Sequence, residues 1–327
     1  MKLNFKSMNE NTIDSKSNSE SHIENSLDIV VCIPTYNAES TIGQAVKECL
    51  EFADLVLVIN DGSSDNSAII AKEAGAEVIT HKQNKGYGGA IKTGLSESLK
   101  RKAKVTITFD ADLQHDSKDI PIISKPILSD EADIVIGSRF LDETDNVKSY
   151  RKFGIKIITG LVNSFSKNQI KDAESGLRAY NLPSLKKIVP TLETHGMGMS
   201  AEILLKASVN QLKIIELPRK ELYPENVQTS SQNPLKHGLT VVLTIAKLIV
   251  ETKPLPAFGI PSIIFFIIAG ISSFFVLEFY NEMGRLPVGL TLFTLTTLTI
   301  GFFLIMAAII LYVLSRISAK LNFSLDD

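Results

Sequence analysis

Asp28–Ile33 reads D-I-V-V-C-I, Thr41–Phe52 reads T-I-G-Q-A-V-K-E-C-L-E-F, and Leu55–Asn60 reads L-V-L-V-I-N. Near-continuous Val, Ile and Leu runs mark strands covered on both faces. The segment between them carries its apolar residues at helical spacing. The same alternation continues outward. Asp65–Ala74 reads as a helix, Ala76–Thr80 as a strand, Gly88–Lys100 as a helix, and Val105–Phe109 and Asp133–Gly137 as strands. This β-α-β-α order predicts an α/β fold with a doubly wound, mostly parallel sheet. Ligands of such sheets bind beyond the carboxyl ends of the strands.

Polar clusters gather at those ends. They are P-T-Y-N-A-E (Pro34–Glu39), N-D-G-S-S-D (Asn60–Asp65), D-A-D-L-Q-H (Asp110–His115) and G-S-R-F (Gly137–Phe140). Any one of them reads as a turn or a helix cap. Four at four successive strand ends point to a ligand crevice. Asp110 and Asp112 flank one small residue, a spacing that lets two carboxylates approach one hard cation such as Mg²⁺ or Mn²⁺. Gln114 is placed to add a carbonyl oxygen. Asp61 is placed to accept hydrogen bonds from a base or a ribose. Asn84–Gly94 (N-K-G-Y-G-G-A-I-K-T-G) suggests a glycine-rich approach to an anion at a helix start, but has neither P-loop nor Rossmann spacing. Arg139, Arg151 and Arg178 offer guanidinium forks that match phosphate oxygens. Arg139 is expected to reach over the crevice, and its loss to cost turnover or acceptor affinity with little effect on stability.

Taken in order, P-T-Y-N-A-E, N-D-G-S-S-D, N-K-G-Y-G-G-A, D-A-D-L-Q-H, G-S-R-F and K-D-A-E-S-G-L-R resemble the family 2 glycosyltransferases of GT-A fold. The D-A-D-L-Q-H and S-G-L-R elements are similar to those of the dolichol-phosphate mannose synthase-like group. The resemblance covers roughly residues 28–225 and implies a nucleotide-sugar donor, a divalent cation and inversion at the anomeric carbon. It assigns the metal to Asp110, Asp112 and Gln114, the nucleoside to Asp61, and phosphate to Arg139 and Arg151. The candidate nucleotide-sugar contacts are Pro34, Tyr36, Asn37, Glu39, Asp61, Lys85, Gly86, Asp110, Ala111 and Arg178. Mannose synthases of the group carry R-x-x-G-x-S-K before the membrane, whereas Tyr223–Gly238 contains no arginine. Lys236 and His237 are the candidates to substitute.

Four regions are expected: a disordered tail over 1–27 without a secretory leader, a GT-A domain over 28–232, a juxtamembrane amphipathic helix over 233–254, and a two-helix transmembrane domain over 255–327. Leu255–Leu277 and Leu286–Ser315 carry no charge, and about 20 apolar residues cross a bilayer core. Lys236, Lys247 and Lys253 precede the first span and Arg316 and Lys320 follow the second, so the positive-inside rule puts both flanks in the cytoplasm. The two cysteines, Cys32 and Cys49, lie in apolar contexts and read as buried thiols.

A net charge of −2 excludes the chain as a whole from binding polyanions such as nucleic acid. A metal with arginines and no dedicated base suits a polyprenyl or dolichyl phosphate acceptor, because a phosphate monoester is already largely dianionic at pH 7. With the donor that the resemblance implies, the expected reaction is transfer of mannose or glucose from GDP-mannose or UDP-glucose to that lipid. Transfer to a lipid-linked glycan and a catalytically silent, nucleotide-sugar-binding scaffold are the competing readings. Homo-oligomerisation is left open.

Overall fold

A computed structural model describes residues 27–141, 149–165, 169–193, 196, 198–219, 222, 243, 246–247, 249–250 and 253–323. The tail over 1–27 and the amphipathic helix over 233–254 fall almost wholly outside the described residues. The elements are β1 (Ile29–Thr35), α1 (Ile42–Leu50), β2 (Leu55–Asn60), α2 (Ser67–Glu73), β3 (Glu77–Thr80), α3 (Tyr87–Lys100), β4 (Val105–Thr108), α4 (Asp119–Leu128), β5 (Ile134–Ser138), α5 (Ser149–Phe165), β6 (Arg178–Asn181), α6 (Leu182–Ile188), α7 (Met199–Val209), β7 (Ile214–Pro218), α8 (Pro254–Met283) and α9 (Val288–Phe323).

One seven-stranded sheet runs β3-β2-β1-β4-β6-β5-β7. The apolar β1 lies between β2 and β4, parallel to both, and Val30, Val31 and Ile33 are fully buried. The expected mostly parallel sheet is found, with β6 as its antiparallel member against both β4 and β5. The reversed β6 brings the segment just before it, Ser175–Leu177, to the carboxyl ends of β4 and β5. The order also changes direction at β1 and β4. Chains leaving these two strands diverge, which opens a crevice beyond their carboxyl ends.

Two helices follow, each long and apolar enough to cross a membrane. Their shared seam is built from small and hydroxyl-bearing residues. Ser262 Oγ donates to the Gly301 carbonyl at 2.9 Å, and Thr294 Oγ1 donates to Ser272 Oγ at 2.9 Å. Their outer faces are apolar and bare, with Phe274 64 % and Phe303 72 % exposed. A soluble core hairpin would bury those faces, whereas helices packing in lipid keep small residues inside and large apolar ones outside. Gly284, at φ 66°, ends α8 in the left-handed conformation that a glycine adopts freely. Ile249 and Ala257 pack against the cluster containing Ile136, Ile158 and Leu204, joining the start of the apolar hairpin to the sheet domain.

Candidate functional site

The first two loops interlock. Asn37 Oδ1 accepts from the Ser64 amide at 2.9 Å, the Asn37 amide donates to Ser63 Oγ at 3.0 Å, and Glu39 Oε2 accepts from the Asn66 amide at 3.1 Å. Asn37 and Glu39 thus brace the loops against each other. Tyr36 beside them stays 54 % exposed, a bare aromatic face at the sheet's carboxyl edge. Pro34, next to last in β1, is partly buried.

Asp61 is buried with both oxygens engaged. Oδ1 accepts from the Lys85 amide at 2.8 Å and meets His81 Nδ1 at 2.6 Å, and Oδ2 accepts from the Gly86 amide at 2.8 Å. Its carboxylate therefore pins the turn that starts α3. Gly86, at φ 81°, occupies a conformation that suits glycine. Lys85 is exposed beside it.

Asp110 and Asp112 leave the end of β4. Leu113 follows with φ 59°, rare for a bulky residue, and this left-handed step turns the chain sharply after the pair. Asp112 is partly buried, and its Oδ1 accepts from the Gln114 amide at 3.1 Å. Gln114 and Ala111 are buried. Asp110 receives His115 Nε2 on Oδ2 at 2.9 Å and the Tyr87 hydroxyl on Oδ1 at 3.3 Å. Burial alone would raise the Asp110 pKa. The hydrogen bond and charge of His115, the charge of Arg219 and the Tyr87 bond outweigh it and hold the carboxyl below its usual range. Tyr87 itself is pushed well up by burial and by Asp110, so it stays a neutral donor.

Among the described residues no three acidic, His or Cys side chains form a metal cluster. The two carboxylates nonetheless suit Mg²⁺ or Mn²⁺, which commonly take one or two protein carboxylates and complete their shell with substrate phosphates and water. Asp110 is kept ionised, as a ligand must be.

The K-D-A-E-S-G-L-R segment is the wall behind Asp110. Ser175 Oγ donates to the Gly137 carbonyl at 2.6 Å, and Thr108 Oγ1 donates to the Gly176 carbonyl at 2.7 Å. A Cβ at Gly176 would lie 2.1 Å from Asp110 Oδ2, so only glycine leaves room for that carboxylate.

Two of the three expected arginines are engaged inside the protein. Arg178 is buried and gives Nε, Nη1 and Nη2 to the carbonyls of Ser175, Ser200 and Ala173 at 2.9, 2.9 and 2.7 Å. Its guanidinium closes the wall segment onto α7 instead of facing a ligand. Arg139 is also buried, with Nε and Nη2 forked onto the buried Asp172 at 2.7 Å each. A guanidinium so paired is satisfied inside the protein, not held over the crevice. Arg151 begins α5, and its side chain lies outside the described residues. Arg219, to which the sequence assigned no role, directly follows β7 and is buried; its Nε donates to the Gly137 carbonyl at 3.2 Å. Its charge lowers both Asp110 and Asp172. Only the pairing of β7 beside β5 brings it there, which no local pattern announces.

The profile of the family described as Glycosyl transferase family 2 matches residues 30–189. An uncharacterised protein of Methanocaldococcus jannaschii is 36 % identical over 224 residues, spanning 67 % of this chain and 91 % of that protein. The UDP-N-acetylglucosamine–dolichyl-phosphate N-acetylglucosaminyltransferase of Methanococcus voltae is 34 % identical over 220 residues, spanning 60 % of this chain and 86 % of the relative. The Drosophila melanogaster dolichyl-phosphate beta-glucosyltransferase is 26 % identical over 215 residues, spanning 59 % of this chain and 66 % of the relative. Glucosyl-3-phosphoglycerate synthase of Mycobacterium tuberculosis, solved with Mn²⁺, UDP and glucosyl-3-phosphoglycerate, shares the fold. Its TM-score is 0.54 at 18 % identity, with 68 % of this chain and 79 % of that chain covered. By its sheet, its aspartate pair and these similarities, the chain belongs to the family 2 glycosyltransferases of GT-A fold.

Proposed function

We propose that this protein transfers a sugar from a uridine diphosphate donor to a polyprenyl or dolichyl phosphate at a membrane surface, inverting the anomeric carbon. The observation that carries this reading is the pair Asp110 and Asp112 on a sheet domain whose chain continues into two bilayer-length apolar helices. The relatives named as dolichyl-phosphate transferases support the acceptor. The Methanococcus voltae relative, and the absence of arginine from Tyr223–Gly238, favour a uridine donor over GDP-mannose.

In this reading Tyr36 stacks on the base, and the Lys85–Gly86 turn, braced by Asp61, presents the start of α3 to phosphate. Asp110 and Asp112, with Gln114 beside them, hold Mg²⁺ or Mn²⁺. The bound cation would neutralise the diphosphate and so stabilise the leaving nucleotide. A phosphate oxygen of the lipid forms the new bond to the anomeric carbon as the bond to the diphosphate breaks, and the nucleoside diphosphate leaves with the electron pair. No proton needs removal, since the acceptor is already mostly dianionic.

The test is incubation of the membrane-reconstituted protein with dolichyl phosphate and labelled UDP-glucose, UDP-N-acetylglucosamine or GDP-mannose in parallel. Label in a mild-acid-labile lipid is expected from a UDP-sugar. Label from GDP-mannose alone would overturn the donor, and no lipid label from any donor would overturn the acceptor.

Gly176→Ala is expected to lower this transfer roughly 100-fold, because misplacing a reacting group by about 1 Å costs that much. The steady-state rate, with circular dichroism to confirm folding, checks it. An unchanged rate would mean that the Asp110 carboxylate tolerates displacement.

We also place both flanks of the apolar hairpin in the cytoplasm. Cys32 and Cys49 are buried, and burial pushes the Cys32 thiol up to about 12, so neither should compete for a maleimide. Met283→Cys, at the end of α8, is then expected to label from outside intact cells. Labelling only after permeabilisation would reverse the orientation.

A further inference from the structure

Among the described residues, the His115 side chain hydrogen-bonds to Asp110 alone. Its ring is 3 % exposed and stands edge-on to Phe109, with centroids 5.2 Å apart at 73°. Nε2 lies 2.9 Å from Asp110 Oδ2, while Nδ1 is buried with no partner among the described residues. Asp110 is ionised and can only accept, so Nε2 donates its proton to Oδ2. Oδ2 is therefore the anchored oxygen of Asp110. Oδ1, with only the long 3.3 Å contact from Tyr87, is the oxygen left to turn toward a ligand. The Gly176 wall stands against the Oδ2 side, where a Cβ would lie 2.1 Å from that oxygen.

We propose that His115 is a positioning residue for sugar transfer: it fixes Asp110 so that one carboxylate oxygen faces the divalent cation and the donor diphosphate. Arg219 Nη1 donates to the adjacent Gln114 carbonyl at 3.4 Å. The Asp119 carboxyl is raised by burial and by Asp116, against the pull of Arg219 and His115.

The inference rests on the proposed metal-dependent reading and is separable from it by measuring Mn²⁺ itself. Free Mn²⁺ would be followed by electron paramagnetic resonance during titration of the full-length, detergent-solubilised protein with UDP present, without acceptor. His115→Phe keeps the ring contact and removes the donor, and should weaken Mn²⁺ binding about 10- to 100-fold, as loss of an outer-sphere partner does. His115→Gln, whose amide nitrogen reaches toward the Nε2 position, should recover most of that loss, and the shorter His115→Asn should not. In turnover, His115→Phe should need more Mn²⁺ while approaching the wild-type kcat at saturating metal. A merely structural ring would instead lower Tm without changing the Mn²⁺ requirement. If His115→Phe does not fold, the Gln and Asn variants decide, and equal wild-type Mn²⁺ affinity in both overturns the proposal while leaving the metal reading intact. A wild-type protein that binds no Mn²⁺ with UDP overturns both.

Discussion

Asp112→Ala is expected to abolish sugar transfer while leaving the fold in place, with a loss of about 10³-fold or more. Asp112 is only partly buried, and its Oδ1 accepts from the local Gln114 amide at 3.1 Å. A partly buried polar side chain adds little apolar packing to the core. Its chemistry is different in weight. With Asp110 anchored through Oδ2 to His115, the pair supplies the protein's ionised oxygens for a hard cation, and a lone carboxylate holds one far less well. A cation that stabilises the transition state by several kcal/mol accounts for a thousandfold at about 1.36 kcal/mol per decade. Asp110→Ala is the less informative variant, because it also strips His115 and Tyr87 of their partner. The measurements are transfer rate, Mn²⁺ affinity and Tm on one preparation. Full activity in excess EDTA, or an Asp112→Ala enzyme within tenfold of wild type, would end the metal-dependent reading.

Sequence made the first half of the fold legible because its strands are long runs of one chemistry. L-V-L-V-I-N is found as β2 over Leu55–Asn60, the span its sequence predicts. The second half hides its strands. β6 is four residues, R-A-Y-N, and its antiparallel place between β4 and β5 is a tertiary fact. The same step explains the S-G-L-R element. Ser175 and Gly176 matter for what they touch on β4 and β5, and Arg178 for three carbonyls that only the folded chain assembles. Residue type also misled where charge was concerned. An arginine at a strand end has the same local sequence whether it faces a ligand or a buried aspartate. Asp172 lies 33 positions from Arg139, beyond any periodicity. The aspartates of D-A-D-L-Q-H were readable because a buried strand delivers them directly, whereas the histidine in that motif gained a role only from its distance to Asp110.

Arg139→Ala is expected to destabilise the protein by about 3–5 kcal/mol, the cost of leaving one member of a buried pair without its partner. Both groups are inside, and Asp172 Oδ2 also takes the Arg139 amide at 3.1 Å. Burial would push the Asp172 carboxyl up. The Arg139 charge and its hydrogen bonds overcome this and hold it below the usual carboxylate range. A depressed folded-state pKa contributes stability above the unfolded value, near 3.9, that is lost as pH falls through the folded value. Remove Arg139 and the sign reverses. Burial then dominates, the carboxyl is raised, and the penalty is full near neutrality and relieved as acid protonates Asp172. The gap in Tm between wild type and Arg139→Ala should therefore be widest near pH 7 and shrink toward pH 5. Replacing both partners, as Arg139→Leu with Asp172→Leu, should cost less than Arg139→Ala alone, because no charge is left stranded. At a temperature where Arg139→Ala remains folded, its KM for polyprenyl phosphate should stay near wild type. An unchanged Tm together with a tenfold higher acceptor KM would instead return Arg139 to the crevice as a ligand contact.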